Sequence, residues 1–266
     1  MSETVIKAEH VRKTYRSYKN NFQRVKHMLI LSSAGEKNRV LTDVSFEIKK
    51  GEKVTIFTPS GGGKSTLLRI LADIIKPEAG TVEVKGEPKL ILDYKAGFDV
   101  NLTGLQNYRI RSKIEGWSDE TIKAREKEIF KLAGLSHEKE TRLKYYPRGG
   151  ASRLGFAILT AETGDIILMD ERISSGSTTI NDRYTERFSE LISPETTLVM
   201  AGNDFKTNLL LCERGIVIHE GKVVFDGPIE EALEYHKAHS THTRKNKRAK
   251  AVEVENFDAD DGDDAF

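Results

Sequence analysis

The stretch that decides the reading is Val54-Thr55-Ile56-Phe57-Thr58-Pro59-Ser60-Gly61-Gly62-Gly63-Lys64-Ser65-Thr66-Leu67-Leu68. Val54 to Phe57 has the pattern of a short buried strand, and Leu67, Leu68, Ile70 and Leu71 open an apolar helix pattern. Between them, glycines let the backbone curl so that successive N–H groups point at one anion. The helix N-terminus adds its dipole to the same point. Lys64 then reaches the β- and γ-phosphates of a nucleotide, and the Ser65 hydroxyl completes a Mg²⁺ shell. Ser60, Gly61, Gly62, Gly63 and Thr66 complete the candidate phosphate cradle. The plainer alternative is a Gly-rich turn carrying a solvated lysine. The loop is irregular, because the usual pattern opens with Gly six residues before the lysine and here that place holds Thr58.

A second element fits the same site. Asp165-Ile166-Ile167-Leu168-Met169-Asp170-Glu171 reads as a buried strand ending in two acids. Alone, such a pair suits a helix cap or a surface turn. About a hundred residues after a phosphate loop, the pattern assigns Asp170 to the metal and Glu171 to the polarisation of attacking water.

The 266 residues suffice for one large or two modest domains. Formal net charge is +1, from 42 basic and 41 acidic residues, so no global field draws the chain to nucleic acid and no nucleic-acid partner is expected. The single cysteine, Cys212, cannot form an internal disulfide and fits a reducing compartment. No stretch approaches 18 consecutive apolar residues, and Met1-Ser2-Glu3-Thr4 lacks the start of a secretion signal, so a membrane role would need a partner.

Strand-like runs at Val5-Ile6, Val40 to Ile48, Val54 to Phe57, Thr81 to Val84 and Lys89 to Leu92 crowd the first third. Ser118 caps a helix over about 119–133, ended by Gly134. From Ile166 strands and helices alternate: Ile166 to Met169, a helix at about 180–192, Thr197 to Met200, a helix around Thr207 to Cys212, and Ile216 to Ile218. A further strand runs from Lys222 to Phe225. That rhythm predicts an α/β fold with a parallel sheet and an inserted helical region at roughly 95–160. From about 240 a basic block precedes an acidic one with little apolar periodicity, the composition of a charged tail that builds no core.

These motifs resemble the nucleotide-binding subunits of ATP-binding cassette transporters, from about residue 4 to 238. Within that family the similarity points to polysaccharide exporters of capsule, O-antigen or teichoic acid. Its carriers are Thr14-Tyr15-Arg16-Ser17-Tyr18, Leu102-Thr103-Gly104-Leu105-Gln106-Asn107, and Tyr145-Tyr146-Pro147-Arg148-Gly149 leading to Arg153-Leu154-Gly155-Phe156-Ala157. The resemblance implies a P-loop NTPase fold: a RecA-like core, an antiparallel β-subdomain and an inserted α-helical subdomain, together spanning 1–239, with a tail at 240–266.

It further implies ATP and Mg²⁺ as cofactors. The partners would be an integral membrane permease and a second ATP-binding subunit, in a homodimer or heterodimer, on the inner face of the cell membrane. Tyr15 matches the aromatic that stacks on adenine, although a tyrosine packed in a sheet is equally consistent with the sequence.

Several positions depart from the family pattern. Thr58 and Pro59 stand where the phosphate loop begins, so its first residues must be built differently. Pro147 replaces a serine that donates to the γ-phosphate on the opposite subunit. Arg148 and Gly149 remain as candidate contacts there, a solvent-facing Arg148 being the alternative, and a helix is expected from near Ser152. Asn203 aligns with the switch histidine and can donate a hydrogen bond but cannot become cationic. Ser177 replaces an aspartate after the catalytic Glu, and Asp99 replaces a glutamine facing the membrane partner.

The stretch Asn20 to Leu31 carries Phe22, Val25, Met28 and Leu29 at helical spacing. The resemblance implies a short helix near the saccharide channel; the alternative from the periodicity is a surface helix packed on its own domain. The expectation is an ATP-binding transport subunit with slow or partner-dependent turnover. The alternative is a catalytically impaired regulatory subunit paired with an active ATPase. A P-loop GTPase or small-molecule kinase fits poorly, because no Asn-Lys-x-Asp guanine motif is present.

Overall fold

The structure is a computed structural model, and it describes residues 3–17, 36–161, 164–170, 192–202 and 205–239. Glu171, Ser177, Asn203, the helix expected at 20–31, nearly all of that expected at 180–192, and the tail from 240 lie outside the described residues.

Among the described residues, nine strands form one sheet. They are β1 (Thr4–Ser17), β2 (Glu36–Lys49), β3 (Lys53–Phe57), β4 (Ala79–Val84), β5 (Pro88–Ile91), β6 (Ile166–Asp170), β7 (Thr197–Ala201), β8 (Arg214–His219) and β9 (Lys222–Pro228), in the spatial order β4-β1-β2-β9-β8-β3-β7-β6-β5. The five strands from β8 to β5 pair in parallel. The four-residue core of β3 and the whole of β6 and β7 are buried, which explains their unbroken apolar runs: a strand covered on both faces has no polar side to show. At the other end β4, β1 and β2 pair antiparallel, and a parallel pairing of Asp43 with Lys222 joins the two regions.

Strand β1 is longer than the expected Val5-Ile6. Its inner half buries Val5, Ile6, Ala8 and Val11, whereas Arg12 to Arg16 are half-buried or exposed. Register shifts at Ala8/Val11, Val11/Lys13 and Lys13/Thr14 break the alternation, and His10 sits there at φ 52. A bulged strand loses its two-residue periodicity, so composition alone hides its outer half.

Helix α1 (Lys64–Leu71) follows the glycine loop, and its buried Leu67, Leu68, Ile70 and Leu71 join the core formed by β1, β2 and β3. Helices α2 (Gly104–Ile114), α3 (Asp119–Leu132) and α4 (Gly150–Thr160) form a separate cluster around Tyr108, Phe130, Leu135 and Leu154. Ser118 caps α3 as expected, accepting from the Thr121 N–H at 3.2 Å. Thr103 and Gln106 form a reciprocal capping box on α2, a T-x-x-Q signal present in the sequence. Helix α4 begins two residues before the expected Ser152, because Gly149 takes φ 77 and turns the chain into it directly.

Helix α5 (Phe205–Leu211) precedes β8, and helix α6 spans 229–239 after Pro228. Ile229, Ala232, Leu233 and His236 bury one face of α6, a spacing of three, four and seven that the sequence carried and that the reading above did not assign. Among the described residues no helix is long and apolar enough to cross a membrane.

Candidate nucleotide site

Strands β3 and β6 are parallel, separated only by β7, and end at the same edge of the sheet. That edge is where open α/β sheets bind ligands. The loop after β3 therefore faces the last residue of β6, which is Asp170. A cavity of about 410 Å³ opens there, lined by Tyr15, Val40, Ser60 to Thr66 and Asp170. Nine of the residues singled out from the sequence thus become one concave surface: the phosphate loop, the candidate metal acid and the candidate base-stacking tyrosine.

The loop's irregular beginning has a definite construction. Thr58 is fully buried and takes no left-handed backbone, so the β-branched residue is unstrained. Its Oγ1 donates to the Pro59 carbonyl at 3.0 Å, and the Gly62 N–H donates to the same oxygen at 2.9 Å. Pro59 thus contributes an acceptor where it lacks a donor. A Cβ on Gly62 would lie 2.8 Å from Thr58 Oγ1 and 2.9 Å from Pro59 O, so the loop closes on its own first residues. Gly63 caps α1 at φ 95, and a Cβ there would lie 2.6 Å from Val40 Cγ1. Backbone conformation and close approach both require glycine at 63.

Lys64 Nζ donates to the Thr58 carbonyl at 3.3 Å, which lays the side chain across the loop. The Ser65 hydroxyl donates to the Asp170 carboxylate, and Asp170 is 4% exposed. Tyr15, 41% exposed on β1, places its hydroxyl 3.4 Å from Thr66 Oγ1. It is both a sheet residue and a wall of the cavity.

The arrangement fits a Mg-nucleotide on four counts. The first-turn N–H groups of α1 have no acceptor within their own helix and lie at the loop. Lys64 adds a cation, Tyr15 a flat face, and Ser65 with Asp170 the paired hard oxygen ligands that Mg²⁺ favours beside phosphates and water.

Other residues singled out from the sequence lie elsewhere. Arg148 is exposed and Gly149 half-buried at the start of α4, and neither lines the cavity. The Asp99 carboxylate accepts from the Asn101 N–H at 2.8 Å within its own loop, while the Asp99 N–H donates to Asn107 Oδ1 at 2.8 Å. Val40 is a lining residue that sequence reasoning missed, because an apolar residue on a strand carries no signal of its own. His236 of α6, which does not line the cavity, is a second residue that sequence reasoning missed. It is 5% exposed, and burial, reinforced by the nearby charges of Lys64 and His219, pushes its basicity down to about 4.

A glycine loop between a parallel strand and a helix, facing an acid at the end of a nearby strand, defines a P-loop NTPase fold of the cassette type. A solved structure of the ATP-binding cassette MJ0796, a dimer in a post-hydrolysis state bound to ADP and Pi, superposes with a TM-score of 0.66 at 22% identity. The match covers 84% of this chain and 98% of that one. The family model for ABC transporters matches residues 41–174, and the chain belongs to the ABC transporter family.

Among curated relatives, the teichoic acids export ATP-binding protein TagH of Bacillus anthracis is 32% identical over 87% of this chain and 42% of that protein. The TagH protein of Levilactobacillus brevis is also 32% identical, over 87% of this chain and 64% of its own length. That of Listeria monocytogenes serotype 4b is 30% identical over 86% of this chain and 68% of its length. This chain therefore spans between two fifths and two thirds of these relatives.

Proposed function

We propose that the chain is the ATP-binding subunit of an ABC transporter. It couples ATP binding and hydrolysis to export of a cell-surface polysaccharide, of the teichoic-acid class, through a separate membrane permease on the inner face of the membrane. Residues 1–239 form the ATP-binding unit and 240–266 its charged tail. The observation that carries the reading is the cavity shared by Tyr15, the 60–66 loop and Asp170. The export substrate rests on the teichoic acids export proteins among its relatives.

In this reading Tyr15 stacks on the base. The N–H groups of residues 61–66 hold the phosphate oxygens, and the Lys64 ammonium swings from the Thr58 carbonyl to offset their charge. Ser65 and Asp170 hold Mg²⁺, which when bound supplies Lewis-acid neutralisation at the phosphates. Glu171 serves as the general base, and Asn203 donates an amide hydrogen bond toward the γ-phosphate. Arg148 and Gly149, which do not line this cavity, serve the site of a second ATP-binding subunit. Pro147 has no donor to offer there, so turnover is slow or depends on a partner.

The test is Mg·ATP binding and hydrolysis by the wild-type chain and by Lys64→Ala. The wild type binds ATP, and the variant loses at least about 10²-fold in turnover, the scale of one removed charge-stabilising donor. Equal binding and turnover in the two proteins would overturn the assignment.

A further inference from the structure

Helix α6 packs a ring against the end of the strand that leads into the phosphate loop. His236 stacks on Phe57 with ring centroids 5.5 Å apart and planes at 21°. It also meets Phe205 at 6.2 Å and 63°, and Phe57 and Phe205 approach one another at 6.1 Å. Three rings from three elements thus close on each other.

Their positions in the chain give the contact its meaning. Phe57 is the last residue of β3, and Thr58, which closes the phosphate loop, follows it. Phe205 is the first residue of α5, and Asn203-Asp204 immediately precede it. The next residue of α6, Lys237, sets its ammonium 5.3 Å from the Phe205 ring centroid, so two successive residues of α6 grip one ring. Upstream, Asn208 of α5 donates from Nδ2 to the Gly202 carbonyl at 3.0 Å. Both contacts fasten α5 itself: Asn208 ties it to Gly202, and α6 holds its first ring.

We propose that His236 is a positioning residue for the nucleotide site: its ring locks the start of α5 to the end of β3, and through Phe57 it holds the strand end from which the phosphate loop departs. The proposal rests on the nucleotide-binding role proposed above. The neighbourhood suits a neutral aromatic ring. Burial and the Lys64 charge keep the imidazole uncharged at neutral pH, and an imidazolium here would repel the phosphate-binding lysine. A flat neutral ring stacks on Phe57 as phenylalanine would, whereas a methyl group leaves both phenylalanines without their partner.

The test compares the full-length wild type with His236→Phe and His236→Ala in three measurements: Mg·ATP affinity, steady-state turnover, and amide hydrogen exchange across Phe205–Leu211. His236→Ala is expected to lower kcat about tenfold while ATP affinity stays within about twofold, as for a displaced catalytic geometry. Exchange across α5 accelerates in the same variant. His236→Phe restores turnover and protection. If His236→Ala does not fold, His236→Leu, which fills the volume without a ring to stack, carries the same expectation. Wild-type turnover and exchange in the alanine variant would overturn the proposal. So would parallel loss of affinity, turnover and melting temperature that phenylalanine fails to restore. A wild-type chain that binds no ATP would overturn the nucleotide reading instead, and the exchange comparison would still decide whether His236 braces α5.

Discussion

Thr58 shows how a single side chain replaces a missing glycine. Its hydroxyl and the Gly62 N–H share the Pro59 carbonyl, and the absence of a Cβ at 62 lets the loop fold back over Thr58. Adding that Cβ in Gly62→Ala forces the loop open against Pro59 backbone and the threonine hydroxyl. Overpacking of this kind typically costs about 1–3 kcal/mol, and because the loop is the ligand's own cradle, the cost appears as roughly tenfold weaker ATP binding. Thr58→Ala alone loses one hydrogen bond and is the milder change. The double variant recovers part of the lost affinity, since Oγ1 is gone but Pro59 O remains. Titration of labelled ATP into the four proteins measures this coupling, and strict additivity would show that Thr58 and Gly62 do not share the loop.

Lys64, Ser65 and Asp170 were legible in advance because their spacing carries chemistry. The role of Thr58 was not. It appeared as a departure from a pattern, and only the fold shows that its hydroxyl supports the loop.

At the scale of the element, the placement of helix α4 depends on an absent side chain. A Cβ on Gly155 would lie 2.0 Å from the Tyr94 carbonyl oxygen and 2.7 Å from its carbon, both backbone atoms of the segment after β5. Phe156, the next residue, packs edge-on against the Tyr94 ring at 5.4 Å. The contact holds α4 against the loop that carries Asp99, so the helical cluster and the sheet edge meet at a position where neither backbone has room to yield. Gly155→Ala should destabilise the fold by about 1–3 kcal/mol, read as a lower denaturant midpoint with an unchanged slope. Stability equal to the wild type would mean that α4 slides on Tyr94 without cost.

Helix α3 is readable from its Ser118 cap and Gly134 stop to within one residue, whereas for α4 only a start near Ser152 is expected, two residues late. Strand β1 was not, because its bulges erase the alternation on which a strand reading depends. Helix α6 was readable and was passed over; the Pro228 start and the 3-4-7 spacing of its buried face are ordinary helix signals.

At the scale of the whole molecule, the described candidate contacts Tyr15, the 60–66 loop and Asp170 share one cavity, while Arg148 is exposed and does not line it. In the proposed function Arg148 serves a site whose phosphate loop belongs to another ATP-binding subunit. If that subunit is a second copy, two kinds of inactive variant should complement each other. Lys64→Ala spoils the phosphate loop, and Arg148→Ala spoils the surface offered to the partner. In a mixed dimer one site inherits both defects and the other inherits neither.

Random pairing of equal amounts makes half of the dimers mixed, each with one intact site of two, so the mixture should recover about a quarter of wild-type turnover. Each variant assayed alone sets the baseline. Recovery above that baseline on mixing would identify a homodimer with shared sites. No recovery, with wild-type turnover that appears only after a different ATP-binding subunit is added, would identify a heterodimer. In that case the degenerate Pro147 segment and the intact Lys64 loop would sit in two unequal sites. The ratio of the two rates would then measure how much turnover Pro147 removes.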